Sequence, residues 1–137
     1  MIEVKMQSNA KKVLDELEEK LQQAATMVGG TIEGHAKELC PVDTGLLRNS
    51  ITYALGGEAP AIGQYASDDG SETGQYSGVA PGDKKGQVTV YVGTNVHYGT
   101  YQELGAPSIN LDPKPFIRPA MENFTGEIEQ IIKKTLK

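Results

Sequence analysis

Apolar residues return every three or four positions along the first third of the chain, at Val13, Leu17, Leu21, Ala24, Val28, Ile32, Ala36 and Leu39. That spacing puts them on one stripe of an α-helix. The opposite face carries Lys11, Lys12, Glu16, Glu18, Glu19, Lys20 and Glu33. A helix is therefore predicted over about residues 8–39, running roughly 45–50 Å at 1.5 Å per residue. This is longer than a compact domain of 137 residues needs, so part of it is expected to pack against something else. Gly29-Gly30 lies inside the stripe and costs about 1 kcal/mol per residue relative to alanine. A kink, a break into two helices and a close backbone crossing are all open there. The helix should stop near Leu39, because Pro41 disfavours helical geometry at Cys40.

After that helix the punctuation becomes dense. Asp43-Thr44-Gly45 reads as a turn whose Asp or Thr side chain can cap a short helical turn through Leu46-Leu47-Arg48-Asn49. Ile51-Thr52-Tyr53-Ala54 is rich in strand formers. Eight of the sixteen glycines then fall between Leu55 and Gly86, among Ser, Asp and Gln. This span is expected to be a long flexible loop or a poorly structured hairpin, contributing little to the core and ordering on assembly. In Gln87-Val88-Thr89-Val90-Tyr91-Val92 polar and apolar residues alternate, so a strand is predicted with its valines inward and Thr89 and Tyr91 outward. Val96 to Leu104 fits either a strand edge or one to two helical turns ending at Gly105. Pro119 suits the first turn of a final helix, which Ala120, Phe124, Ile128, Ile131 and Leu136 give an apolar stripe. Lys133, Lys134 and Lys137 complement its dipole.

The inventory of reactive groups is thin. Two histidines, His35 and His97, lack the paired spacing of a zinc site and read as helix-surface and strand-edge residues. Cys40 is the single cysteine; it has no internal disulfide partner and reads as a small buried hydrophobe at a helix end. Asp68-Asp69-Gly70-Ser71-Glu72 lacks the ligand alternation and distal glutamate of an EF-hand loop and reads as a solvated acidic turn. No phosphate-cradling glycine motif is present, so no cofactor and no metal are expected. A net charge of −5 argues against a dedicated nucleic-acid binder, which needs clustered Lys and Arg. No apolar run approaches the roughly 20 residues of a membrane span, and the first residues do not read as a signal peptide.

Three junction segments stand out: Pro41-Val42-Asp43-Thr44-Gly45-Leu46-Leu47-Arg48-Asn49-Ser50-Ile51; Val92-Gly93-Thr94 running through Tyr98 to Glu103-Leu104-Gly105; and Pro115-Phe116-Ile117-Arg118-Pro119-Ala120. In this order, between two amphipathic helices, they resemble the gene-product-ten-like tail-component family of long-tailed phages and prophages. Its pattern is P-V-D-T-G-x-L-R-x-S-I, then V-G-T and Y-A-x-x-x-E-F-G-T, then P-F-x-R-P-A. The middle segment departs from it: Gly99, Leu104 and Ala106 stand where alanine, an aromatic residue and threonine belong, while Tyr98, Glu103 and Gly105 match.

The residues so marked are Asp43, Gly45, Arg48, Tyr98, Glu103, Gly105, Phe116, Arg118 and Pro119, for which structural and interface roles are both open. Asp43 can cap the turn, and Arg48 can reach a carboxylate, with Asp43 and Glu103 as candidates. Gly45 and Gly105 permit backbone angles that other residues resist. Phe116 and Ile117 look like anchors for the final helix.

The fold expected is α+β in a single domain over residues 1–137: a small, mainly antiparallel sheet holding Ile51–Ala54 and Gln87–Gly93, covered by the long N-terminal helix and a C-terminal helix. The resemblance implies a non-enzymatic virion protein at the head–tail junction, assembled in the host cytoplasm. It would form a ring, most simply of six copies, between head-completion or connector proteins and the tail terminator or tail tube, with DNA passing through. It implies no membrane partner and no sequence-specific nucleic-acid partner. The readings from other classes are a small cytosolic enzyme using Cys40 or His97, and a monomeric ligand-binding or adaptor module.

Overall fold

The computed structural model describes residues 2–59, 63–84 and 86–137, with side chains from residue 15 onward. The expected placement of Lys11, Lys12 and Val13 on the helix lies outside the described side chains. Helix α1 (Ile2–Leu39) is unbroken and starts earlier than the sequence pattern suggested. Gly29 resolves the three open readings in favour of a close crossing. A Cβ there would overlap the ring of Tyr53, whereas Gly30 faces open space. Among the described residues of the apolar stripe, Ala24, Val28, Ile32 and Ala36 are buried and Leu21 is half-buried, while Leu17 and Leu39 are exposed.

Helix α2 (Leu46–Ser50) leads into β1 (Thr52–Leu55), which pairs antiparallel with β4 (Val90–Gly93) from Thr52 opposite Gly93 to Leu55 opposite Val90. Tyr91 is exposed and Val92 packs on the core, as alternation requires. The span between these strands does not behave as a loop alone. It holds a second antiparallel pair, β2 (Gln64–Ala66) with β3 (Thr73–Gln75), so the hairpin reading prevails. The expectation that this span contributes little to the core is also overturned, since Tyr65 is buried in it and Tyr76 packs against it. The two rings are tilted against each other by 59°, with centroids 5.1 Å apart. At the hairpin tip, Asp69 accepts from the Ser71 N–H at 3.0 Å and from the hydroxyls of Ser71 at 2.7 Å and Ser67 at 2.8 Å. These bonds, the Ser71 amide first, pull its carboxyl down to about 2.

The ambiguous segment resolves as helix α3 (Gly99–Leu104), followed by a single 3-10 turn at Pro107–Ile109. The expected final helix is two helices, α4 (Ile117–Glu122) and α5 (Thr125–Leu136). The break seats Phe124 flat on the imidazole of His35, with centroids 3.6 Å apart and planes within 1°. His35 is accordingly not a free surface residue: its Nε2 lies 2.9 Å from Glu127 Oε2. Helix α5 runs antiparallel to α1, from that pair to Lys20 Nζ, which donates to the Lys137 carbonyl at 3.2 Å. One core joins all these elements through Val28, Ile32, Ala36, Leu47, Ile51 and Phe116, giving an α+β fold.

Candidate functional site

The three junction segments meet, and several of their polar side chains, Thr44, Arg48 and Glu103 among them, are engaged within the fold. The first capping expectation is corrected in detail. Thr44, not Asp43, serves the turn: its Oγ1 accepts from the Leu46 N–H at 3.3 Å and donates to Glu72 Oε2 at 3.1 Å. Asp43 is exposed on the rim. Gly45 sits at φ 86° and opens α2, a left-handed angle that favours glycine. A side chain there would also run into the Asp68 carboxylate.

Arg48 reaches neither Asp43 nor Glu103; it pairs with Asp68 from the hairpin. The local turn holds Asp68 in place through its N–H, which donates to the Thr44 carbonyl at 2.8 Å. Asn49 reinforces the junction by donating to the Ala66 carbonyl at 2.7 Å and to Asp68 at 3.1 Å. Tyr76 donates to the Asn49 carbonyl at 3.1 Å. On the other side of the hairpin, Asn95 accepts from the Tyr65 hydroxyl at 2.6 Å and donates to the Gln75 carbonyl at 2.7 Å. Asp68, Asn49, Asn95 and Tyr65 escaped sequence reasoning, because each bond spans seventeen or more residues and no local pattern announces it.

Glu103 links the second and third segments. Its Oε2 accepts from the backbone N–H groups of Phe116 at 2.8 Å and Ile117 at 3.0 Å, and its Oε1 accepts from that of Arg118 at 2.9 Å. A helix leaves its first four N–H groups without intrahelical partners. At α4 these belong to Phe116, Ile117, Arg118 and Pro119; Glu103 binds three, and proline has no fourth to offer. Burial alone would push the Glu103 carboxyl up, but the three backbone donors and the Arg118 charge outweigh it and hold the carboxyl below its ordinary range.

Gly105 follows at φ 79°, and a Cβ there would lie 2.9 Å from Pro113 Cδ. Phe116 is completely buried, whereas the Arg118 side chain is exposed. Tyr98 is half-buried against the core, and burial is the main cause that raises its hydroxyl pKa. Gly99, which departs from the expected alanine, has little room for a methyl group: its Cβ would lie 2.8 Å from Thr94 Cγ2 and 3.0 Å from Leu47 Cδ1.

What remains open to solvent is shape and apolar surface. A cleft of about 540 Å³ separates the Pro41–Leu47 turn from α3, with Val42, Asp43, Leu46, Tyr98, Gln102 and Leu111 on its walls. Beside it Tyr101, Leu104 and Ile109 are exposed, Leu104 by 62% and Ile109 by 69%. Cys40 is buried, and desolvation first among the causes raises its thiol to about 11, so it is protonated at neutral pH. His97 is exposed, edge-on to Tyr98. Among the described residues no group of three or more His, Cys, Asp or Glu is placed to hold a metal ion, and no helix is long and apolar enough to cross a membrane.

No curated protein and no solved structure matches the chain. Residues 4–105 match the model of the family described as "Bacteriophage HK97-gp10, putative tail-component", a span that ends at Gly105 and so includes the Thr44 turn, Arg48 and Glu103. The match covers well over half of the chain, which belongs to this HK97-gp10-like phage tail-component family.

Proposed function

We propose that this chain is a structural subunit at the head–tail junction of the virion, forming a ring between the capsid connector and the tail tube, and that it works by binding proteins and not by catalysis. The observation that carries the reading is the division of labour at the motif end. The motif side chains Thr44, Arg48 and Glu103 are engaged within the fold, while Val42 stays exposed on the wall of the cleft and Tyr101, Leu104 and Ile109 stay exposed on α3 and the 3-10 turn after it. Exposed apolar surface on a braced frame is what a protein contact uses. A ring subunit must present such a surface to a neighbour head to tail, and the family supplies the setting, a phage tail component. Six copies, with DNA passing through the ring, complete the proposal.

The test is a Leu104→Asp/Ile109→Asp double variant in the phage or prophage. The purified variant should keep the parental circular dichroism and melting temperature, because both side chains are exposed. Electron microscopy of lysates should show filled heads separate from tails. Normal yields of joined, infectious particles would overturn the assignment of this face, and the same yields from a null allele would overturn the junction role itself.

A further inference from the structure

Helix α1 continues past the point where its own chain covers it. The end of α5 meets α1 at Lys20, and Asp15 to Glu19 are all exposed, including Leu17 at 42%. From Glu19 back to Ile2 the backbone continues as a single helix of about 27 Å at 1.5 Å per residue. A solitary helix of this length is marginal in water, and this one does not lose its apolar spacing where the cover ends. Positions Ala10, Leu14, Leu17 and Leu21 repeat at four, three and four residues, the seam of a two-stranded coiled coil.

Charge decides what can lie against that seam. Before the seam's midpoint, between residues 15 and 16, the sequence carries Lys5, Lys11 and Lys12 against Glu3 and Asp15; after it come Glu16, Glu18 and Glu19 against Lys20. The segment is self-complementary when reversed. Antiparallel alignment with a second copy sets position 14 opposite 17 and position 10 opposite 21, and brings Lys11 of each copy to Glu18 of the other. A parallel pair in the same register offers Lys11 and Glu18 only positions 6 and 13, which are Met6 and Val13.

We propose that in the free protein residues 10–21 of α1 pair antiparallel with the same segment of a second copy. The contact is isologous and closes on itself, so it gives a dimer and cannot propagate into a ring. It uses a different surface from the apolar face around Leu104 and does not rest on the junction reading.

Sedimentation velocity of the full chain over a concentration series tests this. The parent should be a reversible dimer, weakened by salt. Leu17→Asp should weaken dimerisation at least tenfold with an unchanged melting temperature. Lys11→Glu and Glu18→Lys should each weaken it several-fold, and the double charge swap should restore it. A parent that stays monomeric throughout, or a double swap no better than the single variants, overturns the proposal. So does a larger assembly indifferent to Leu17→Asp; that outcome would leave the ring reading standing, whereas the lysate experiment can fail while the dimer holds.

Discussion

Glu103 offers the sharpest test of how the motif end is held together. Glu103→Gln is isosteric and leaves one carbonyl oxygen in place, so the two N–H groups of Phe116 and Ile117 can still be served. Their bonds lose charge assistance, and the N–H of Arg118 now faces a donor where it had Oε1 at 2.9 Å. A hydrogen bond to a charged group contributes about 1.5–3 kcal/mol and a neutral one about 0.5–1.5 kcal/mol. Discounted for partial exposure, the change should cost about 2 kcal/mol, which in a chain of this size lowers the melting temperature by roughly 6–10 °C.

The pH dependence has a definite sign. The folded carboxyl titrates below its ordinary 4.5, so its contribution is complete above that value and is lost as the pH falls through the folded pKa. The gap between parent and Glu103→Gln should therefore narrow on acidification below about pH 4 and stay constant above pH 6. Paired thermal scans at one protein concentration, at pH 7 and pH 3.5, measure both effects. A Glu103→Gln variant melting within a degree of the parent at pH 7 would refute the idea that this carboxylate braces α4.

Phe116→Ala removes a fully buried ring and should cost about 3–5 kcal/mol by urea unfolding; an unchanged midpoint would mean the ring is not packed as described. Gly29→Ala drives a methyl group into the Tyr53 ring and should cost about 1–3 kcal/mol as an overpacking change, which Gly30→Ala, in open space, should not do. Cys40 should react slowly with iodoacetamide at pH 7.5 in the folded chain and promptly in urea, given its burial and a thiol raised to about 11; equal rates in both states would contradict its placement. Replacing residues 63–76 by a short Gly-Ser turn should unfold the chain rather than merely loosen a loop, because Tyr65 and the bonds to Asn49 and Asn95 leave with it. A cooperative melt near the parental temperature would restore the loop reading.

What could be read in advance followed periodicity. The α1 stripe and the alternation of β4 are local patterns, and both elements exist where those patterns point, although α1 starts six residues earlier than expected and the strand begins only at Val90, three residues later. The hairpin was one of two readings of its span, but its contribution to the core was hidden because it rests on Tyr65 and Tyr76, two aromatic side chains set among glycines and polar residues. No window around them has an apolar period. The partner of Arg48 was hidden for a related reason. Several carboxylates were available, and the choice of Asp68 follows from the bond between its N–H and the Thr44 carbonyl, which ties the hairpin to the turn. Even the break between α4 and α5 is tertiary in origin, since it places Phe124 on His35, 89 residues away in sequence.

The Glu103 brace also separates what makes this fold from what would make its contacts. Thr44, Arg48, Glu103, Phe116 and the N–H groups at the start of α4 are occupied inside the molecule, so their chemistry is not free to recognise a partner. Substituting them should act through stability, and its effect on particles should be relieved by lowering the temperature. Leu104, Ile109 and Val42 make the opposite case, being exposed at the same end without contributing to the buried core. On the junction reading, partner choice is then written in the exposed side chains between the motif residues. Leu104 lies in the segment that departs from the family pattern, which makes it the position where an aromatic replacement should change which partner is accepted while leaving the melting temperature alone.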